Sequence, residues 1–278
     1  MEASMSILVT GATGTVGRHV VAELLRRGLP VRALTRDPSR ATLPAGVEVV
    51  AGDLAVPDSL GAAFDGAAAA HLINFAGDGY APLENGRAIA DLAVKSGVRR
   101  VTLLGGRAEG DLERALAAAD LDWTILNPVE FMANTLQWWA PSVRAEDVVR
   151  EPFGSRTSSL VHEADIGAVA AAVLADGGYA GESLVVTGPE RITTTEKVRI
   201  LGDALGREIR YVELTEDEAR AKWAADGLPG PLIDFLIDTL GNPPEVGRTV
   251  HGTVERVTGR PARPFAQWAR ENADAFRP

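Results

Sequence analysis

Apolar positions in the first 130 residues follow two alternating periods. Short runs rich in β-branched residues recur at 7–9, 31–35, 47–51, 69–75, 101–104 and 123–126, the pattern of strands buried on both faces. Between them apolar residues return every three or four positions, as at Val16, Val20, Leu24 and Leu25, which predicts amphipathic helices. Further helices are expected over 58–64, 83–96 and 112–119, the second closed by Gly97, a residue suited to a left-handed C-cap. Strands separated by helices imply βαβ units, so the expected fold class is α/β with a doubly wound parallel sheet.

The first strand runs directly into Thr10-Gly11-Ala12-Thr13-Gly14-Thr15-Val16-Gly17, and a helical pattern follows at once. Strand, glycine turn and helix together suggest a dinucleotide site of Rossmann type. The spacing is G-x-x-G-x-x-G, one residue longer in its first gap than G-x-G-x-x-G. A lone glycine triplet can also be an ordinary strand-to-helix turn. Here Gly11 would permit the tight turn, Gly14 the approach of a pyrophosphate, and Gly17 close packing of helix on strand. Backbone around Thr13, Thr15 and Val16 would then face the anion at the helix start.

The nucleotide is read at the ends of later strands. A residue after the second strand should meet the adenosine ribose, and this region is Thr35-Arg36-Asp37-Pro38-Ser39-Arg40. An acidic residue there would bond a ribose 2′-hydroxyl, whereas Arg36 and Arg40 suit a 2′-phosphate. NADP(H) is therefore favoured, with NAD(H) open if Arg36 only stacks on adenine and Asp37 caps the next helix. After the third strand, Asp53 can accept from the adenine amino group while Leu54 covers the ring; a turn or N-cap role for Asp53 is the alternative. Asn74-Phe75-Ala76-Gly77 should border the nicotinamide ribose, its small residues allowing close approach. Gly105, at the end of the fifth strand in Leu104-Gly105-Gly106, completes the expected cofactor set.

The second half is less regular. A helix is expected to open over 131–139 and give way to a loop around Pro141. Strands are expected at 158–161, 183–186 and 209–214, and helices at 165–174, 195–205, 216–225, 232–240 and 265–276, with Asp165 as an N-cap and a Gly/Pro-bearing segment before the last. No repeat, low-complexity tract or linker stands out. The expected division is a nucleotide-binding domain over 1–155, with contributions from about 156–187, and a smaller interleaved C-terminal substrate lobe mainly over 188–278. The lobe is expected to pack over the carboxyl edge of the sheet, where open α/β sheets bind ligands.

The 278 residues suffice for a large core. No apolar stretch is long enough to span a bilayer, and no leader peptide is visible before the first strand. The absence of cysteine excludes disulfides, thiolate metal sites and cysteine nucleophiles. A cytoplasmic location is expected. A formal net charge of −10 argues against nucleic acid as a partner. No His/Asp/Glu grouping has metal-ligand spacing, and no nucleophile elbow occurs. The oligomeric state is left open.

Several segments together resemble the NmrA-like group of atypical short-chain dehydrogenase/reductases. They are the glycine segment, Leu34-Thr35-Arg36, Gly52-Asp53-Leu54, Leu121-Asp122-Trp123-Thr124-Ile125-Leu126-Asn127-Pro128 with Phe131, Met132 and Asn134 after it, and Val257-Thr258-Gly259-Arg260-Pro261. The resemblance implies a Rossmann fold, NADP(H) or NAD(H) binding, and a variable C-terminal lobe that forms the substrate pocket. It also exposes a departure. Many short-chain reductases carry Tyr-x-x-x-Lys on the helix after the fifth strand, yet neither Tyr nor Lys occurs between positions 97 and 122, and Tyr80 lacks a lysine four residues on. The family's common arginine before the proline is Asn127 here.

A plain ketone needs a proton donor at its oxygen. A quinone or similar conjugated ring delocalises the incoming charge and is reduced with a weak donor or with water. The expected reaction is thus hydride transfer from NAD(P)H to a quinone or polycyclic aromatic, polyketide-like substrate, as in antibiotic biosynthesis. The alternative is a nucleotide-sensing regulator without turnover. Flat ligands stack on aromatic side chains, and Phe131, Trp138, Trp139 and Phe153 are the substrate candidates. Adjacent helical side chains diverge by about 100°, so at most one of the two tryptophans faces the core. His162 is a weak candidate proton donor; Tyr179 and Tyr211 would serve only if folding brought them to the crevice.

Overall fold

The structure is a computed structural model that describes residues 6–77, 81–105 and 109–278. Asp78, Gly79, Tyr80 and Gly106 lie outside the described residues. Seven parallel strands form the central sheet: β1 (Ser6–Val9), β2 (Val31–Thr35), β3 (Glu48–Ala51), β4 (Ala67–Ile73), β5 (Arg100–Leu104), β6 (Asp122–Pro128) and β7 (Glu182–Val186). Their order is β7-β6-β5-β4-β1-β2-β3, the doubly wound α/β topology expected from the two periods. The order reverses between β1 and β4, so a crevice opens at the carboxyl ends of these two strands.

Burial explains why the inner strands read as continuous apolar runs. Leu8, Ala70, Leu72 and Leu103 are fully buried and share a core with Leu60, Phe64, Ile89 and Leu116. The helix Glu163–Asp176 is apolar nearly all round and buried along most of its length, as a core helix must be. It packs on the helix Gly17–Arg26. A Cβ on Gly167 would lie 2.6 Å from the His19 Cβ, so that position needs glycine.

The chain divides into two compact units. The first holds residues 1–128, 163–186 and 253–260; the second holds 129–162, 187–252 and 261–278. The first unit therefore leaves the chain at 128 rather than near 155, and 253–260 returns to it. In the second unit the helices Asn134–Glu146, Thr194–Leu205 and Phe265–Glu271 enclose Trp139, Val149, Leu201, Phe265, Trp268 and Phe276. Trp223, Ile233, Leu236 and Ile237 form a second cluster where the helices Glu216–Ala225 and Gly230–Gly241 meet.

Several expectations are corrected in the later half. The helix Asn134–Glu146 continues through Pro141 instead of breaking there. Its stripe of Thr135, Trp139, Ala140 and Val143 is buried on both sides of the proline, which offsets the lost hydrogen bond. The strand Val148–Glu151 was unmarked in the sequence and pairs in parallel with Arg210–Glu213. The strand expected at 158–161 shrinks to Thr157–Ser158, paired with Ile192–Thr193. The Gly/Pro-bearing segment carries two short helices, Glu245–Arg248 and Thr253–Thr258. Asp165 lies within the first turn of its helix, which begins at Glu163.

His71 sits inside β4, fully buried, with Nδ1 on the Thr102 hydroxyl at 2.9 Å. Its Nε2 is buried without a partner among the described residues. Burial pushes its pKa from 6.5 down to about 4. Below pH 6.5 the unfolded chain takes up a proton that the native state refuses, so stability falls with pH until about 4. Between pH 7 and pH 5 this single group should remove about 2 kcal/mol. Denaturant titrations of wild type and His71→Asn at both pH values should show that loss only in the wild type.

Candidate functional site

The glycine loop joins β1 to its helix at the reversal of strand order. Thr10 donates its N–H and its hydroxyl to the His71 carbonyl at 2.9 and 3.0 Å, and its Oγ1 accepts from Ile73 N–H at 3.1 Å. These bonds pin the carboxyl end of β1 to that of β4. Gly11 turns the chain at φ +59°, where a side chain would be strained. A Cβ on Gly17 would stand 2.1 Å from the Gly11 carbonyl oxygen, so the helix begins beside the strand only because Gly17 has no side chain. Thr13, Gly14 and Thr15 are exposed, while the Val16 side chain is buried. No side chain caps this helix and no acid stands in its first turn. Arg18 and His19 N–H donate to the Gly14 and Val16 carbonyls, and a helix start with no side-chain cap above a bare glycine loop fits a pyrophosphate.

Arg36 and Arg40 lie exposed beyond β2, where the sequence places the adenosine contact. Asp37 caps the 3₁₀ turn Pro38–Arg40, accepting from Ser39 N–H at 3.0 Å and from its hydroxyl at 2.6 Å. The acid nearest the strand end is thus engaged locally. Asp53 Oδ1 accepts from Ala55 N–H at 2.9 Å, the turn role that was the alternative to an adenine contact. Leu54 is buried, and its carbonyl accepts from Asn85 Nδ2 at 2.7 Å.

Asn74 stands just past β4, and Phe75 and Ala76 open a short hairpin with Ala81–Pro82. Gly105 follows β5, and a Cβ there would meet Asn127 Oδ1 at 2.6 Å. Sequence reading missed Glu113. This buried residue lies on the helix Asp111–Ala117, the one that follows β5. Its Oε1 accepts from Asn74 Nδ2 at 2.7 Å, and its Oε2 accepts from Gly110 N–H at 3.1 Å. The available signal was an acidic residue at the third helical position, flanked by the apolar Leu112 and Leu116.

The substrate and acid candidates fall in the second unit, apart from Tyr179. Trp139 is only 3% exposed. Its indole N–H donates to the Glu151 carboxylate, so it is a core residue rather than a ligand wall. Trp138 turns the other way and meets Trp223 edge-on at 6.1 Å; the partner its position demanded is a helix of the same unit. Phe131 and Phe153 are half-buried. Phe153 packs against the cluster around Trp223, and Phe131 bridges to Val161. His162 is buried with Nε2 on Glu271 at 3.0 Å, which makes it a paired group rather than a displayed acid. Tyr211 donates to the Glu151 carbonyl at 2.7 Å. Burial and then Glu213 push the Tyr211 pKa up, so neither that bond nor that shift suits a proton donor. In the first unit, the Tyr179 ring lies beneath the Arg256 guanidinium at 5.4 Å.

Beside Phe131, Glu130 is clamped by Arg156 at 2.7 Å and Lys197 at 2.9 Å. Burial alone would raise the Glu130 pKa, but the two cations hold it well below the usual carboxylate range. Among the described residues no group of acids and histidines could hold a metal, and no helix is long and apolar enough to cross a membrane.

Comparison with known proteins shows the family and the fold. The model of the NmrA-like family matches residues 3–103. A (4-alkanoyl-5-oxo-2,5-dihydrofuran-3-yl)methyl phosphate reductase of Streptomyces griseus is 37% identical, over 98% of this chain and 99% of the relative. An NAD(P)H azoreductase of Xenophilus azovorans is 33% identical, over 97% of this chain and 99% of the relative. The solved structure of an Escherichia coli NADPH-dependent quinone oxidoreductase with NADPH superposes with a TM-score of 0.80 at 25% identity, covering 95% of this chain and 99% of that one.

Two substitutions test the cofactor assignments. Gly14→Val should abolish binding of both NADPH and NADH, measured by fluorescence titration, with calorimetry to confirm that the variant folds. Arg36→Ala should weaken NADPH by roughly ten- to a hundredfold, the scale of one charge-assisted contact, and leave NADH nearly unchanged. Equal losses for both would make Arg36 an adenine-stacking residue.

Proposed function

The chain belongs to the NmrA-like family of atypical short-chain dehydrogenase/reductases, and on that footing we propose that it reduces flat, electron-poor conjugated acceptors of the quinone class, polycyclic hydroxyquinones included. It is an NAD(P)H-dependent oxidoreductase, akin over nearly its whole length to named reductases. NADP(H) is the favoured cofactor and NAD(H) a possible one. The bound nicotinamide supplies the hydride. The protein's share is to hold it, through the loop Gly11–Gly17 and the strand ends at Arg36 and Asn74, and to orient it.

One observation carries the substrate reading. The helix after β5 bears no Tyr/Lys pair, and its inward polar residue is Glu113, both of whose oxygens already accept hydrogen bonds. A carboxylate so engaged delivers no proton to a ketone oxygen. His162 and Tyr211 are bonded within the second unit. An acceptor that spreads negative charge over its own conjugated system removes the need for such a donor. The quinone, azo and alkanoyl-furanone acceptors named for relatives share that property. The second unit keeps Phe131, Trp138 and Phe153 partly exposed, side chains of the kind that stack on flat rings.

NADPH oxidation measured against quinones, polycyclic hydroxyquinones, an azo dye and simple ketones tests the reading. Quinones should exceed simple ketones in kcat/KM by at least roughly a hundredfold, the lower range of what general acid catalysis contributes. Efficient turnover of ketones with quinones inert would overturn it. Tight NADPH binding with no turnover on any acceptor would instead make the protein a nucleotide sensor.

A further inference from the structure

The polar pair formed by Asn74 and Glu113 has a direction. A carboxamide can present either its N–H₂ or its carbonyl to a neighbour, and the two ends look alike in shape. Glu113 settles which end faces it. Its Oε2 takes the Gly110 N–H at 3.1 Å and its Oε1 takes an N–H of Asn74 at 2.7 Å. Each oxygen meets one N–H donor. The acceptor-only carboxylate thus forces Nδ2 toward the helix Asp111–Ala117 and places Oδ1 on the opposite side of the amide.

The place matters as much as the direction. Asn74 follows β4 at the reversal of strand order, next to the strand end that carries Gly11. A Cβ on Gly11 would touch the Ile73 side chain at 3.1 Å. An oriented acceptor here suits a hydroxyl, a donor, and repels a phosphate. The backbone is fixed too: the Asn74 carbonyl accepts from Leu83 N–H at 3.1 Å.

We propose that Glu113 is a positioning residue for the cofactor, locking the Asn74 amide so that Oδ1 accepts a hydroxyl of the nicotinamide ribose. This rests on the reductase reading, with a dinucleotide in the first unit. The helix that lacks the Tyr/Lys pair thereby orients the cofactor instead of delivering a proton. Glutamine at 113 cannot do the same, because its single carbonyl oxygen can serve Gly110 or Asn74 but its amide nitrogen opposes whichever donor remains.

The experiment is equilibrium binding of NADPH and of 2′,5′-ADP to wild type, Asn74→Ala, Glu113→Gln and the double variant. The second probe carries the adenosine end alone. Each single variant should weaken NADPH by roughly tenfold, the scale of one oriented hydrogen bond. Binding of 2′,5′-ADP should be unchanged, and the double variant should be no weaker than Asn74→Ala. Losses that multiply in the double variant would show independent roles and overturn the proposal. So would parallel loss of both probes, the mark of a merely structural Glu113, or wild-type NADPH affinity in Asn74→Ala. If Glu113→Gln does not fold, Glu113→Asp, whose carboxylate is one methylene short of the Asn74 amide, takes its place in the same two-probe comparison. A wild type that binds NADPH but reduces nothing would defeat the reductase reading and leave this comparison intact.

Discussion

The nucleotide-binding unit depends on one close approach, that of the Gly17 backbone to the Gly11 carbonyl. With a Cβ at Gly17 only 2.1 Å from that oxygen, any side chain would drive the helix Gly17–Arg26 away from the end of β1. The helix N-terminus would then no longer stand over the loop, and the proposed pyrophosphate site would be lost. The Thr10 hydroxyl makes the approach reproducible by tying β1 to β4 on both sides of His71. From that fixed corner topology sets where the proposed cofactor residues stand. Neighbouring strands end at Arg36, Asp53, Asn74 and Gly105, along one edge of the sheet.

The second unit is ordered by a different physics. Its core aromatics are tethered by charge: Trp139 donates to Glu151, whose carboxyl burial pushes up, and Lys197 stands 5.3 Å over the same indole. The same lysine joins Arg156 in clamping Glu130. Breaking one member of such a cluster leaves an uncompensated buried charge, a larger penalty than the pair's net contribution to stability. The cluster fixes the backbone on which Phe131 is displayed.

The strands of the sheet were legible because parallel strands buried on both faces leave unbroken apolar runs, and the glycine loop because its backbone admits few residue types. The strand ends at which the proposed cofactor residues stand could be read too, since they follow from strand positions. Three features escaped for identifiable reasons. Pro141 signals a break locally, and only the burial of Val143 beyond it explains why the helix continues. Val148–Glu151 is too short and too charged to show a period, and pairs with a strand some sixty positions later. Glu113 looked like a solvent-facing helix residue; its partner Asn74 is 39 positions away in sequence. Trp138 and Trp139 were separated correctly by helical geometry, but which of them faced inward depended on Glu151.

The interleaving of the two units has a consequence for synthesis. The chain passes from one unit to the other after residues 128, 162, 186, 252 and 260. β7 forms the outer edge of the sheet, and the helix Thr253–Thr258 packs on the helix Glu163–Asp176 and on β7. A ribosome releases the N-terminus first, yet the first unit lacks its last helix until residue 260 has emerged. The glycine loop is therefore made well before its unit gains a finished scaffold. During translation the open edge of β6 awaits β7, and the faces of β4, β5 and β6 await the helix Glu163–Asp176, an interval of exposed apolar surface.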